Sequence, residues 1–379
     1  MIVSLKDSLK LIGIIIVIFC AAFVCTFFLN FYIDAKAIRD FINDAETLVL
    51  YKAQIATATF TSAISGGFLA VIAIIMLVFY IKLYIDKNLN KLGVLKAMGY
   101  SNLKIASRFL VFGFSVFLGA ALGFGMGFAI MPIIYEGMTI DGLPEITINF
   151  HFWLFIVLVI VPTVLFAVFA FCYALLSLKI PVCQMLRGRA EKLRKYVKKQ
   201  DKERSFLCEM CYKTIVSKKS IAFFIAFACF CFSAMVQMSV SMLDLSSELM
   251  GGIILGIGIV LAVTTIFMAV TTLMNGNLKN IAMMKAFGYT NFEIALSILG
   301  GYHIFALIGF ALGTVYQYGI LSIMINFVFK DVESVPDYSF DIAVFFITLA
   351  VFIVFYECMM LFYFSKISKV NVKSVMIEN

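Results

Sequence analysis

One stretch of nineteen residues occurs twice in this chain. NLNKLGVLKAMGYSNLKIA at 88–106 returns as NLKNIAMMKAFGYTNFEIA at 277–295, with nine of nineteen positions identical. The identical set includes Lys96/Lys285, Gly99/Gly288 and Tyr100/Tyr289. Each copy is a polar island between two long apolar runs. A chain built this way consists of two copies of one half, and its fold has to accommodate the same corner twice.

The apolar runs decide the solvent. Of 379 residues, 63% are hydrophobic and 14% charged, where a soluble domain carries about 25% charge. The runs predict transmembrane helices at about 11–33, 61–84, 108–135, 152–178, 220–243, 250–274, 297–328 and 342–364. Each is of the length that crosses a hydrocarbon core of about 30 Å. The first run is too long for a signal-peptide core and no small-residue cleavage site follows it, so it is read as retained. Residues 34–60 read as a mixed polar connection.

The expectation is an all-α integral membrane protein of eight transmembrane helices, arranged as two parallel four-helix repeats. Four spans per half, an even number, keep the two halves in the same orientation. The halves are 1–184 and 220–379, with repeated cores at about 61–184 and 250–376. A basic linker at 185–219 joins them. At a shift of 190, Gly119 and Gly123 fall on Gly309 and Gly313, and Ser62 and Gly66 fall on Gly252 and Gly256. With Gly127, these small residues four apart mark expected packing seams, because they let helices approach closely in lipid.

Orientation follows from charge. With a cytosolic N-terminus, the inner segments hold 26 of the 30 Lys and Arg, and the outer segments hold 13 of the 22 acids. This positive-inside bias places both termini and both repeated motifs in the cytosol of a cell-membrane protein. It also accounts for the net charge of +8 without nucleic acid, for which no aromatic platform accompanies the basic run at 187–204. None of the nine cysteines falls in an expected outer loop, which argues against a disulfide framework. The single C-x-x-C, Cys208 and Cys211, lacks the further ligands a zinc site needs, and no metal is expected.

Each repeated motif reads as two helices around a corner. Leu89, Leu92, Leu95 and Met98 recur every third residue, as do Leu278, Ile281, Met284 and Phe287, which predicts short amphipathic helices. Gly99 and Gly288 sit where a left-handed C-terminal cap favours glycine. Ser101 and Thr290 follow as N-caps, and Thr290 with Glu293 forms a capping box. Two similar rigid knobs suggest two similar receiving grooves, hence a dimeric partner; an interfacial helix that only closes a loop is the plainer alternative.

The phrase KLGVLKAMGYS at 91–101 resembles the E-I-G-I-L-R-A-L-G-A-S signature of FtsX-like ABC transporter permeases, the group of MacB-type exporters, lipoprotein-release permeases and peptide-resistance permeases. NIAMMKAFGYT at 280–290 is a second copy with Ala282 in place of the glycine; Lys91 and Asn280 stand where the signature opens with an acid. The glycine-rich helix downstream and the exit KIPVCQMLRG at 179–188 extend the resemblance. It implies that the motifs are coupling helices docking on two copies of an ABC-type ATPase, through Lys91, Leu92, Leu95, Lys96, Met98, Gly99 and Tyr100 and through Ile281, Met284, Lys285, Phe287, Gly288 and Tyr289. It further implies export or membrane extraction of an amphipathic substrate: a peptide, a lipid-linked molecule or a lipophilic toxin. No G-x-x-x-x-G-K-[ST] is present, so ATP is expected on the partner subunit, with no cofactor on this chain and no enzymatic activity of its own.

Three further features carry alternatives. Glu357 is the one acid well inside an expected span, and His303 and His151 are lone histidines; an intramembrane ionisable group is a candidate functional residue. An ion-coupled secondary transporter using Glu357 or His303 is therefore the first competing reading. A non-transporting transmembrane signalling partner is the second. Pro162 is expected to kink the fourth helix.

Overall fold

A computed structural model describes residues 12–39, 45–138, 147–186, 206–217, 219–245, 248–323, 325–326 and 340–368. Every regular element among them is helical. In hydrocarbon a backbone has no water to bond, so each span satisfies its own amides and carbonyls as a helix. Among the described residues, eight helices are long and apolar enough to cross a membrane.

In chain order the elements are α1 (Ile12–Lys36), α2 (Ala45–Lys87), α3 (Leu89–Ala97), α4 (Asn102–Ala106), α5 (Gly113–Met138) and α6, the span Phe152–Ser177. A short α7 (Val182–Leu186) follows. Then come α8 (Phe206–Ser217), α9 (Lys219–Leu245), α10 (Glu248–Ala286), α11 (Asn291–Ile298), α12 (His303–Ile323) and α13 (Ile342–Ser368). The chain packs as two units. One is Met1–Arg189 with Met242–Ile257 and Gly319–Ser339, and the other is Ala190–Ser241 with Gly258–Tyr318 and Phe340–Asn379.

Two expectations are corrected. The connection expected at 34–60 is mostly helix: α2 starts at Ala45 and runs unbroken for 43 residues. Its first turns lie on the end of α1, where the Tyr51 hydroxyl donates to the Ala35 carbonyl at 3.0 Å and Ala58 is buried. Polar residues in this stretch concealed an apolar face. The first arm of each repeated motif is also not a separate short helix. In the second copy it is the end of α10, which is continuous from Glu248 to Ala286. In the first copy only Asn88 interrupts it, and the ladder persists there through Asn88 N–H to Tyr84 O and Leu92 N–H to Asn88 O. The expected kink at Pro162 takes the form of a π turn over Ile156–Ile160. This widens the ladder just before the residue that lacks an amide hydrogen.

The first helix is the most buried span of each repeat. Two-thirds of the α1 window (67%) and 61% of the α9 window are buried, against 22% for α6 and 17% for α13. The reason lies in glycines on α5 and α12. A side-chain carbon at Gly119 would lie 2.6 Å from Ile15 O on α1, and one at Gly123 would overlap Phe19 O. A side-chain carbon at Gly313 would meet Phe230 O on α9 at 2.5 Å, and one at Gly309 would overlap Ala226 O. Gly127 continues the first seam against Thr26. Backbones touch here because only hydrogen stands between them.

The other expected seam differs between halves. Ser62 is buried and Gly66 abuts the Cys25 thiol, as expected of a contact. At Gly252 and Gly256, however, a side-chain carbon would meet nothing within 4 Å, and the α9–α10 contact falls on Gly258 against Ser239 instead. A shift of two residues on a helix rotates the contact by about 200°, so spacing alone misplaced the seam by nearly half a turn.

At the end of the first unit away from the repeated motifs, one buried carboxylate gathers three helices. Asp34, 3% exposed on α1, accepts from Asn30 Nδ2 at 2.7 Å, from the Tyr135 hydroxyl of α5 at 3.2 Å and from Asn149 N–H at 3.3 Å. His151, at the start of α6, stands with Nε2 3.0 Å from Asp34 Oδ1. His151 thus fills the structural role that a lone histidine more often has. At the matched position of the second repeat, Asp341 caps α13 by accepting from Ala343 N–H and Val344 N–H.

Gly309→Val should force α12 off α9 and cost about 1–3 kcal/mol, read as a lowered midpoint in thermal unfolding of the purified chain. Gly252→Ala should leave that midpoint unchanged. Asp34→Ala strands several buried donors and should cost about 1–3 kcal/mol in the same measurement.

Candidate functional site: two matched elbows

Both repeated motifs fold into the same corner. Gly99 (φ +91°) and Gly288 (φ +85°) are the positive-φ residues among those described. At the first, Gly99 N–H bonds Lys96 O at 3.1 Å and Tyr100 N–H bonds Leu95 O at 3.2 Å. At the second, Gly288 N–H bonds Lys285 O and Tyr289 N–H bonds Met284 O at the same two distances. This pair of bonds closes a helix and turns the chain away, and it needs the left-handed conformation that glycine adopts without strain. The next helix starts at once. The Ser101 side chain accepts from Lys104 N–H, and Thr290 with Glu293 completes the expected capping box. The second arm then runs on as one span, Asn102–Ile133 in the first copy and Asn291–Ile323 in the second.

The matched lysines turn inward. Lys96 Nζ donates to Leu178 O and Ile180 O, both at 2.9 Å, at the end of α6. Lys285 Nζ donates to Ile367 O at 3.1 Å, at the end of α13. A helix ends with unpaired carbonyls and the negative pole of its dipole, and an ammonium group satisfies both. Each elbow is therefore clamped to the last helix of its own repeat. In the first copy α7 adds to the clamp: a side-chain carbon at Gly93 would lie 3.0 Å from Met185 Cβ and 3.3 Å from Leu186 Cδ2. The counterpart of α7, at 369–376, lies outside the described residues.

The expected coupling residues divide into two groups. Leu92 and Ile281 are fully buried, Met284 nearly so, and Leu95 half-buried. They hold the elbow to its repeat, as Lys96 and Lys285 do. Met98 (69% exposed) and Phe287 (75%) stand out at the tips. Lys91, Gly99, Tyr100 and Gly288 are also exposed, and Tyr289 is half-buried. The three-residue stripe did not stay on one face because each step of three turns the helix by about 300°, so nine residues carry a side chain to the opposite side. Leu89 is buried and Met98 is not, for that reason.

Sequence reading missed two pairs of exposed apolar side chains. Val94 and Met283 match at the repeat shift, as do Leu103 and Phe292, and all four are exposed. With Met98 and Phe287 they give each elbow the same three-point apolar tip. Comparing the copies for apolar type rather than identity would have found them. The flanks differ in charge. Lys104 lies over the Tyr100 ring at 5.0 Å in the first elbow, whereas Glu293 holds that place in the second.

Within the second unit, the two candidate intramembrane residues meet. His303 Nε2 is 2.8 Å from Glu357 Oε1.

The family model for the FtsX-like permease C-terminal region matches residues 63–182 and again residues 252–372. Each match takes in the second, third and fourth spans of one repeat together with its elbow. No curated protein and no solved structure matches the chain.

Lys96→Met and Lys285→Met should each lower stability by about 1 kcal/mol, whereas Lys91→Met should change it by less than about 0.5 kcal/mol. Thermal unfolding of the three variants in one detergent checks the difference.

Proposed function

Because the chain belongs to the FtsX-like permease family, we propose that its two elbows are the docking points for the ATPase subunits of an ABC transporter. FtsX-like permeases partner in general with ABC ATPases. The observation that carries the reading is the pair of tips. Val94/Met283, Met98/Phe287 and Leu103/Phe292 are exposed and apolar on two corners of the same geometry. An exposed apolar patch on a rigid element marks a contact surface. Two alike fit two alike grooves, as an ATPase dimer offers.

The clamps explain how force would travel. An ATPase that moves an elbow pulls on the helix above its glycine corner and, through Lys96 or Lys285, on the last helix of the same repeat. Three of the four spans in each repeat then answer to one contact. The elbows lie on the side rich in Lys and Arg, which is the cytosolic side by charge bias, and both termini fall there too. ATP is bound and hydrolysed by the partner, in two copies, and this chain supplies the membrane path in the cell membrane.

The substrate class rests on the family resemblance, and what the helices present is consistent with it. α1 gives way to α2, and α9 to α10, over short connections, with no lever reaching far from the bilayer among the described residues. α6 and α13 expose most of their apolar surface. Such a permease acts at or within the membrane, on an amphipathic molecule that it exports or extracts.

Met98→Asp combined with Phe287→Asp should abolish co-purification of a co-expressed ABC ATPase subunit from the same genome, with unfolding temperature unchanged. Full retention of the ATPase by the double variant would count against docking at the elbows.

A further inference from the structure

At four matched positions just above the elbows, the first repeat is apolar and the second is not. Phe112 corresponds to Tyr302, Gly113 to His303, Phe166 to Tyr356 and Ala167 to Glu357, all at the shift of 190. In the first repeat α5 and α6 simply touch here: a side-chain carbon at Gly113 would lie 2.7 Å from Ala167 Cβ, and Phe112 and Phe166 are buried beside it. In the second repeat the same seam between α12 and α13 carries a hydrogen-bonded pair. His303 Nδ1 is 3.1 Å from Gly300 O, and Nε2 is 2.8 Å from Glu357 Oε1. The His303 ring stands edge-on to Tyr356 at 5.3 Å, and the buried Tyr356 hydroxyl has no hydrogen-bond partner among the described residues.

This pair is not hidden. The His303 and Glu357 side chains are 37% and 50% exposed, and both lie inside spans, Asn291–Ile323 and Ile342–Ser365. Glu357 is eight residues from the end of its span, about 12 Å of helix rise, so the carboxyl is well below the headgroups. Within the second unit, taken by itself, the pair is open at the depth of the spans. An ionisable group facing hydrocarbon is costly to keep. The first repeat closes the same seam with glycine and alanine, so a joint between these helices does not require the pair. The paired change to His303 and Glu357, which puts a hydrogen-bonded polar pair on an open seam, points to a ligand rather than to packing.

We propose that His303 and Glu357 form a binding site for the amine of a membrane-dissolved amphiphile, entered sideways from the bilayer. The carboxylate of Glu357 is the natural acceptor for an ammonium group, and a charge-assisted bond is strongest where water is scarce. Oε1 is occupied by His303, while Oε2 has no protein partner among the described residues. Tyr356, edge-on to the His303 ring, closes the buried side of the pair. The acyl or peptide body of the ligand stays in lipid along α13, whose outer face is exposed at Val354 and Leu361. The site is distinct from the elbows and does not depend on what docks there.

The test needs no ATPase, so its failure is separable from that of the docking reading. The full chain is placed in phosphatidylcholine nanodiscs and treated with dicyclohexylcarbodiimide, a hydrophobic reagent for carboxyls exposed to lipid. Modification at Glu357 is read by mass spectrometry, alone and with N,N-dimethyldodecylamine, a tertiary amine that forms no stable amide with the activated carboxyl, or with dodecanol. The expected result is modification at Glu357 that the tertiary amine slows several-fold and dodecanol leaves unchanged. Absence of modification would show the carboxyl closed to lipid and overturn the proposal. So would equal slowing by amine and alcohol, or no slowing by the amine.

Discussion

Helices in hydrocarbon gain nothing by hiding apolar side chains from one another, because the lipid is as apolar as they are. What holds them must therefore be close backbone contact or a polar bond, and this chain uses both at few places. The glycines of α5 and α12 let those helices lie against the carbonyls of α1 and α9. That contact sets the centre of each repeat. The remaining spans attach around it through a small number of polar joints. Asp34 gathers three helix ends in the first unit. A hydrogen-bonded set of Ser233, Gln237 and Thr314 ties α9 to α12 in the second.

The lysine clamps matter most for the proposed docking. An elbow on a membrane helix could swing freely about its glycine, and a push on its tip would then be lost in bending. Lys96 and Lys285 remove that freedom by fastening each elbow to the end of the last helix in its repeat. The glycine corner fixes one angle, the N-cap fixes the next, and the ammonium group ties the result to a third helix. The apolar tip is then the part of the elbow left to an outside partner. Positive charge at these two positions serves the inside of the repeat, and in the proposed docking the contact with an ATPase would fall to Val94, Met98 and Leu103 and their counterparts.

Much of this was legible in the sequence, for physical reasons that can be named. Long apolar runs have one stable form in lipid, so the eight spans were readable. A glycine after a helix and a Ser or Thr after that have one common geometry, so both corners were readable to the residue. What escaped needed knowledge of facing. The stripe Leu89–Met98 looked like a single face, but a period of three drifts around a helix, and the tip residue points away from the others. Gly252 and Gly256 were placed on a seam by spacing alone, whereas the contact lies at Gly258. The hidden face at 45–60 was obscured because exposed polar residues such as Lys52 and Thr59 alternate with buried Tyr51 and Ala58 on the same helix. The pairing of His303 with Glu357 was out of reach because it joins two helices 54 residues apart.

The central claim is that both elbows face the cytosol and are covered there by ATPase subunits. Cysteines placed at 98 and 287 report on this directly when labelled with a membrane-impermeant maleimide and read by mass spectrometry at those positions. The account predicts labelling of both in inverted vesicles, neither in right-side-out vesicles, and protection of both when a co-expressed ABC ATPase subunit is bound. Labelling of either position from the outer side, or full labelling of both in the presence of bound ATPase, would contradict it.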